Sequence, residues 1–97
     1  RLLDEAAFTR RLPCGSEDIH VLEFTRDDNR PRVYAVWSEH GPATLACLFE
    51  GRVRATLHDI YGRSRDASSR RGRVTLKADR APCYLEADRP LTAVRPQ

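Results

Sequence analysis

"RVRATLHDIYG" (residues 52–62) is the stretch from which the fold can be read. Val53, Ala55 and Leu57 fall on one side of an extended chain, and Arg54, Thr56 and His58 fall on the other. This is the period-two pattern of a strand with one wet face. The alternation places Asp59 with the inward set at the strand's end, where an Asp hydrogen-bonds the backbone of the following turn. Gly62, three residues on, supplies the positive φ that such a corner requires.

The same period recurs on both sides. "IHVLEFTR" (19–26) carries Leu22 and Phe24 on one face, and "RVYAVWSE" (32–39) sets Val33, Ala35 and Trp37 against Tyr34, Val36 and Ser38. The turn formers of "DDNRP" (27–31) join these two as a hairpin. "HGP" (40–42) breaks the chain before "ATLACLFE" (43–50), with Leu45, Cys47 and Phe49 together. "RSRDASSRRG" (63–72) reads as a solvated loop. "RVTLKAD" (73–79) alternates through Val74, Leu76 and Ala78, and "CYLEAD" (83–88) reads as the last strand. Pro82 stands at its start, where a missing N–H is tolerated. "LDEAAFTRRL" (3–12) fits either a short helix or an opening strand carrying Ala6, Phe8 and Leu12. Short strands at this spacing, with turns between them, predict an all-β fold, an antiparallel β-sandwich of about seven to eight short strands.

A chain of 97 residues has room for one domain, residues 1–97. Its 40% hydrophobic and 32% charged content fits a soluble globule. No apolar run approaches the roughly 18 residues of a membrane span. "RLLDEAAFTRR" puts acids where a signal peptide has its apolar core, so no export signal is visible and the cytoplasm is the expected compartment. The missing initiator Met makes the chain an expected fragment, or processed piece, of a longer one.

The candidate chemistry is thin. As a catalytic acid, Asp59 needs a second carboxylate roughly 5 to 9 Å away in a cleft, and the sequence nominates none. "SEHG" (38–41) gathers Ser, Glu and His, but triads assemble from distant segments and strand neighbours point to opposite faces. His20, His40 and His58 are scattered, and Cys14, Cys47 and Cys83 lack metal-ligand spacing, so no metal and no cofactor is expected and the thiols read as small core residues. Arg63, Arg65, Arg70, Arg71 and Arg73 could meet a polyanion, yet their loop has no aromatic residue for base stacking, so nucleic acid is not expected. Trp37 could be a sugar platform, but its face is shared with Val33 and Ala35, which favours burial. Tyr34, Tyr61 and Tyr84 lie on separate segments. No catalytic residue is nominated.

Three segments together, "VYAVWS" (33–38), "LHDIYGRS" (57–64) and "GRVTLKADRAPCYLEAD" (72–88), resemble the C-terminal β-sandwich appended to many (β/α)8-barrel glycoside hydrolases. That family runs as a V-x-V-x-W strand, a strand closing in D-x-x-G, a V-x-L strand and a P-x-Y-L strand. The matching positions are Val33, Ala35 and Trp37; Asp59 and Gly62; Val74 and Leu76; Pro82, Tyr84 and Leu85. Ala35 departs from the usual larger residue. The resemblance covers residues 19–88 and every matched position is structural: Trp37, Asp59, Gly62, Pro82 and Tyr84 would shape the domain. It implies a non-catalytic accessory domain, packed on and stabilising a covalently linked catalytic (β/α)8 barrel that holds both carboxylates, with carbohydrate possible at the domain border. The alternatives are a carbohydrate-binding module with its own site and, behind it, a basic nucleic-acid-interaction domain.

Overall fold

The computed structural model describes residues 6–26 and 30–97. Among them are nine strands and no helix. The strands are β1 (Ala7–Arg11), β2 (Ile19–Thr25), β3 (Arg32–Ser38), β4 (Ala43–Phe49), β5 (Ala55–His58), β6 (Ser64–Asp66), β7 (Arg73–Ala78), β8 (Cys83–Ala87) and β9 (Leu91–Pro96). They form two sheets, β1-β2-β3-β8-β5-β6 and β7-β4-β9, with antiparallel pairing throughout. The fold is all-β, a small sandwich. Part of the 27–31 turn reading, at residues 27–29, lies outside the described residues, as does the start of the 3–12 segment.

The alternation of each strand builds the core. β7 points Val74, Leu76 and Ala78 inward and Arg73, Thr75 and Lys77 outward. β4 adds Leu45, Cys47 and Phe49, opposite Ile19, Val21, Tyr34, Val36, Leu85 and Ala87 of the larger sheet. Two bulges break the alternation that sequence reading relies on. In β1 the register shifts between Phe8 and Arg10, so Phe8 meets Phe24 on the outer face while Arg10 meets Glu23 on the inner one. The segment 3–12 is therefore a strand over its described part, but Phe8 and Leu12 do not share a face: Phe8 is 58% exposed and Leu12 is buried.

Three expectations need correction. "CYLEAD" is not the last strand, because β9 follows it and pairs with β4. Its signal was hidden by a register shift at Leu48/Phe49, which brings both Leu91 and Val94, three residues apart, into the core. The 63–72 segment is not simply a loop. Ser64–Asp66 is an edge strand on β5, and Val53 and Ser69 exchange backbone hydrogen bonds at 2.9 Å. All three β6 residues are exposed, so no apolar period could reveal it. Third, the inward faces of β2 and β3 are Ile19, Val21 and Glu23 with Tyr34, Val36 and Ser38. Leu22, Phe24, Val33, Ala35 and Trp37 lie on the outer face.

One buried polar network ties the sheets together. Glu23, 3% exposed, accepts from Tyr34 Oη at 2.5 Å and from Arg10 Nε at 3.1 Å. Tyr34 Oη in turn accepts the backbone N–H of Leu91 at 2.8 Å, and Arg10 Nη2 donates to the Leu91 carbonyl at 3.0 Å. These hydrogen bonds thus link β2 and β3 to the start of β9 in the other sheet.

Cys14 and Cys47 are buried and Cys83 is half-buried, all as free thiols. Burial, then the nearby thiols Cys83 and Cys14, push the Cys47 pKa up to about 12 from an ordinary value near 9. Burial also raises Tyr34, reinforced by its bond to Glu23. A raised folded pKa gives stability that is whole below the unfolded value and is lost as pH climbs towards the folded one. Stability is therefore expected to fall from pH 9 upward as Cys47 titrates, by on the order of 1 kcal/mol per pH unit, with Tyr34 adding above pH 10. Urea midpoints at about pH 8, 9.5 and 11 check this, and Cys47→Val is expected to flatten the first part of the decline.

Candidate functional site

The outer face of the six-stranded sheet is where side chains remain without an internal task. A sandwich strand at the surface ordinarily carries polar residues there. In β3 four consecutive residues, Val33 to Val36, are buried, so both faces of the strand are apolar. Register sets their outer neighbours: Phe24 beside Val33, Leu22 beside Ala35, and Tyr84 beside Ala35 from β8. Phe8 packs edge-on against Phe24 with ring centres 5.9 Å apart. The result is an apolar stripe across β1, β2, β3 and β8.

Trp37 ends this stripe. It is half-buried on the outer face, not in the core, and its ring lies against His20 at 4.8 Å with 18° between planes. His20 is fixed by Arg11, which approaches Nδ1 at 2.6 Å, and by Glu39 Oε1, 2.9 Å from Nε2. The expectation that Val33, Ala35 and Trp37 share a face is met; what changes is which face it is. Tyr84 is half-buried between the strands and Pro82 precedes β8.

At the stripe's other end Glu86 accepts from Arg26 Nη2 at 2.6 Å and faces His58 Nε2 at 3.2 Å, while His58 Nδ1 lies 2.9 Å from Ser64 Oγ. Ser64, His58 and Glu86 form a row that superficially suggests a hydrolase. Burial alone would raise the Glu86 carboxyl, but the Arg26 and His58 hydrogen bonds and charges outweigh it and hold it below its ordinary value. A carboxylate already shared with a guanidinium offers the imidazole little of its charge. The row is best read as a cross-strand polar seam.

The "DIYG" turn lies at the tip of the β5–β6 hairpin. Asp59 Oδ1 accepts the N–H groups of Tyr61 at 2.8 Å and Arg63 at 2.9 Å, and Oδ2 accepts from Arg63 Nε at 2.8 Å. Gly62 holds φ of 84°. Desolvation, the largest single influence, would raise the Asp59 carboxyl, but the two N–H groups and the Arg63 side chain together overcome it and lower the pKa. A carboxylate so stabilised is a poor general acid, which must hold its proton near neutral pH. The turn presents Ile60 and Tyr61 to solvent, 47% and 76% exposed, with the Arg63 guanidinium 5.5 Å from the Tyr61 ring centre.

Ser38 is buried on the inner face, away from exposed Glu39 and His40. Donor atoms of Asp18, Glu39 and His40 come within 4.8 Å of one another. However, His40 already lies 3.0 Å from Asp18 and Glu39 is taken by His20, as in many exposed ion clusters. Comparison with protein-family models, curated proteins and solved structures found no match to this chain.

Proposed function

We propose that this chain is a non-catalytic accessory β-sandwich whose task is docking, and that its partner is the catalytic (β/α)8 barrel of a glycoside hydrolase. One observation carries the docking part: the sheet face turned away from the core presents apolar side chains to solvent, Phe8 exposed and Leu22, Phe24, Trp37 and Tyr84 half-buried around it. A contiguous apolar surface of this kind marks an interaction site. The polar ends, Arg11–His20–Glu39 and Arg26–Glu86–His58, match the polar rim that surrounds such a contact. The barrel as partner rests on the sequence resemblance alone.

The test is made in the joined protein. Changing Leu22 and Phe24 together to Asp is expected to lower the barrel's melting midpoint by about 3 °C or more, with kcat of the surviving enzyme unchanged. Thr75→Asp, on the outer side of the smaller sheet, is expected to leave both unchanged. An unmoved midpoint would remove the docking face. Aryl-glycoside hydrolysis by this chain alone, lost in Asp59→Asn, would reverse the non-catalytic reading. Because Trp37 is only half-buried, a sugar-binding module remains the second reading. A shift of its fluorescence on adding neutral oligosaccharide would favour that reading.

A further inference from the structure

Beyond the polar seam, the outer face opens into a groove of about 670 Å³. Its wall carries Arg52, Arg54 and Arg70 alongside Asp66, Glu86 and Asp88. The acids are already engaged. Asp66 Oδ1 accepts from the Ser68 amide at 3.0 Å and its hydroxyl at 2.6 Å, Asp88 Oδ1 accepts from the Arg54 amide at 2.9 Å, and Glu86 serves Arg26 and His58. The three guanidiniums are exposed and form no ion pair among the described residues. The imbalance extends along the chain. Residues 52–73 hold seven Arg against two Asp, whereas the rest of the protein holds ten Lys and Arg against twelve Asp and Glu.

Within the lining the three carboxylates offset the three guanidiniums in formal charge, but Arg26 neutralises Glu86 and the surrounding 52–73 segment is basic, so the groove tips positive while interspersing its cations with oxygen acceptors. A nucleic-acid strand places a phosphate at every residue and gains from aromatic stacking. Among the described residues no aromatic side chain lines this groove, and its three carboxylates oppose a continuous phosphate run. A glycan with spaced acidic groups satisfies both features. Its carboxylate or sulfate pairs with a guanidinium fork, and its hydroxyls donate to the second oxygens of Asp66 and Asp88 and exchange bonds with Thr56. The volume lies within the range of about 300–1,000 Å³ usual for small-ligand sites.

We infer that this groove, with Arg52, Arg54 and Arg70 as its anion contacts, binds a short segment of an anionic glycan. The site is built entirely from this chain and does not depend on the docking reading.

Calorimetric titration of the protein at about 20 mM salt, where such charge contacts are least screened, tests this. The probes are a hyaluronan hexasaccharide and a kappa-carrageenan hexasaccharide, which carry one carboxylate or one sulfate on every second sugar, a neutral glucan hexamer and a single-stranded DNA hexamer. Expected is binding of at least one acidic hexasaccharide, none of the neutral one, and weaker binding of DNA; which acidic probe binds tighter identifies carboxylate or sulfate as the charge. The double variant Arg54→Ala/Arg70→Ala is expected to weaken binding about tenfold or more, while Arg80→Ala/Arg95→Ala, equal in charge but outside the groove, changes it less than about twofold. No binding of either acidic glycan, equal losses in the two double variants, or DNA binding as tightly as the glycans would overturn the inference. None of these results bears on the barrel's melting midpoint, so the two readings stand or fall separately.

Discussion

Gly72→Ala is expected to destabilise the protein by about 3 kcal/mol or more, a large share of the 5–15 kcal/mol that holds an ordinary domain together. Two costs combine at this position. Gly72 sits at φ of 77°, a left-handed backbone that costs a side-chain-bearing residue about 1–2 kcal/mol. A Cβ there would also run into the carbonyl oxygens of Phe49 and Gly51. Neither neighbour can yield easily: Phe49 donates its N–H to the Gly72 carbonyl at 2.6 Å, and its side chain is in the core. The contrast with Gly62→Ala isolates the steric part. Gly62 has a similar φ of 84° and nothing within 4 Å of its missing Cβ, so its loss is expected near 1 kcal/mol. Urea unfolding of both variants, read at constant m, checks the ordering. Equal midpoints would mean that the Gly51–Gly72 approach is loose in solution.

Tyr34→Phe carries the second large effect. The hydroxyl links Glu23 to the Leu91 amide, and its removal leaves a buried N–H and part of a buried carboxylate without partners. The expected loss is about 2–4 kcal/mol, because unmet buried groups cost their full desolvation. Glu23→Leu is expected to cost a comparable amount. Arg10, with its side chain half exposed, can turn to water, but Arg32 Nε is buried without a hydrogen-bond partner, 3.8 Å from Glu23 Oε2. If Tyr34 and Glu23 act as one network, the double variant loses less than the sum of the singles, by about 1 kcal/mol or more. Simple additivity would show that Tyr34 and Glu23 contribute independently, and the inter-sheet clamp would then reduce to two ordinary bonds.

Both positions bear on how much could be read beforehand. In the sequence Tyr34 is one of a scattered set of tyrosines, and nothing local singles out Glu23. Their pairing depends on register between β2 and β3 and on β9 arriving from a distant part of the chain. For the candidate site, the D-x-x-G spacing named the turn residues Asp59 and Gly62, since every bond Asp59 makes there spans four residues or fewer. That Ile60 and Tyr61 are held out into solvent follows from the same turn only once β6 returns along β5. The groove was legible only in part: the arginine run from Arg63 to Arg73 stood out, but Arg52, Arg54 and Asp88 join Arg70 through strand pairing.

What the chain alone determined is the set of properties local to a few residues. Period-two alternation in 19–26, 32–39, 43–50, 53–58, 73–79 and 83–88 required strands, and two layers of them required a sandwich. What only the tertiary structure decided is the direction each strand faces where the two sides are equally apolar. In β3 either Tyr34 and Val36 or Val33, Ala35 and Trp37 could have entered the core, because burial energy follows apolar area and both sets offer it. The choice falls to the partner sheet. Tyr34 can be buried only where Glu23 and Leu91 meet its hydroxyl, and that commits the opposite face, with Trp37, to the outside.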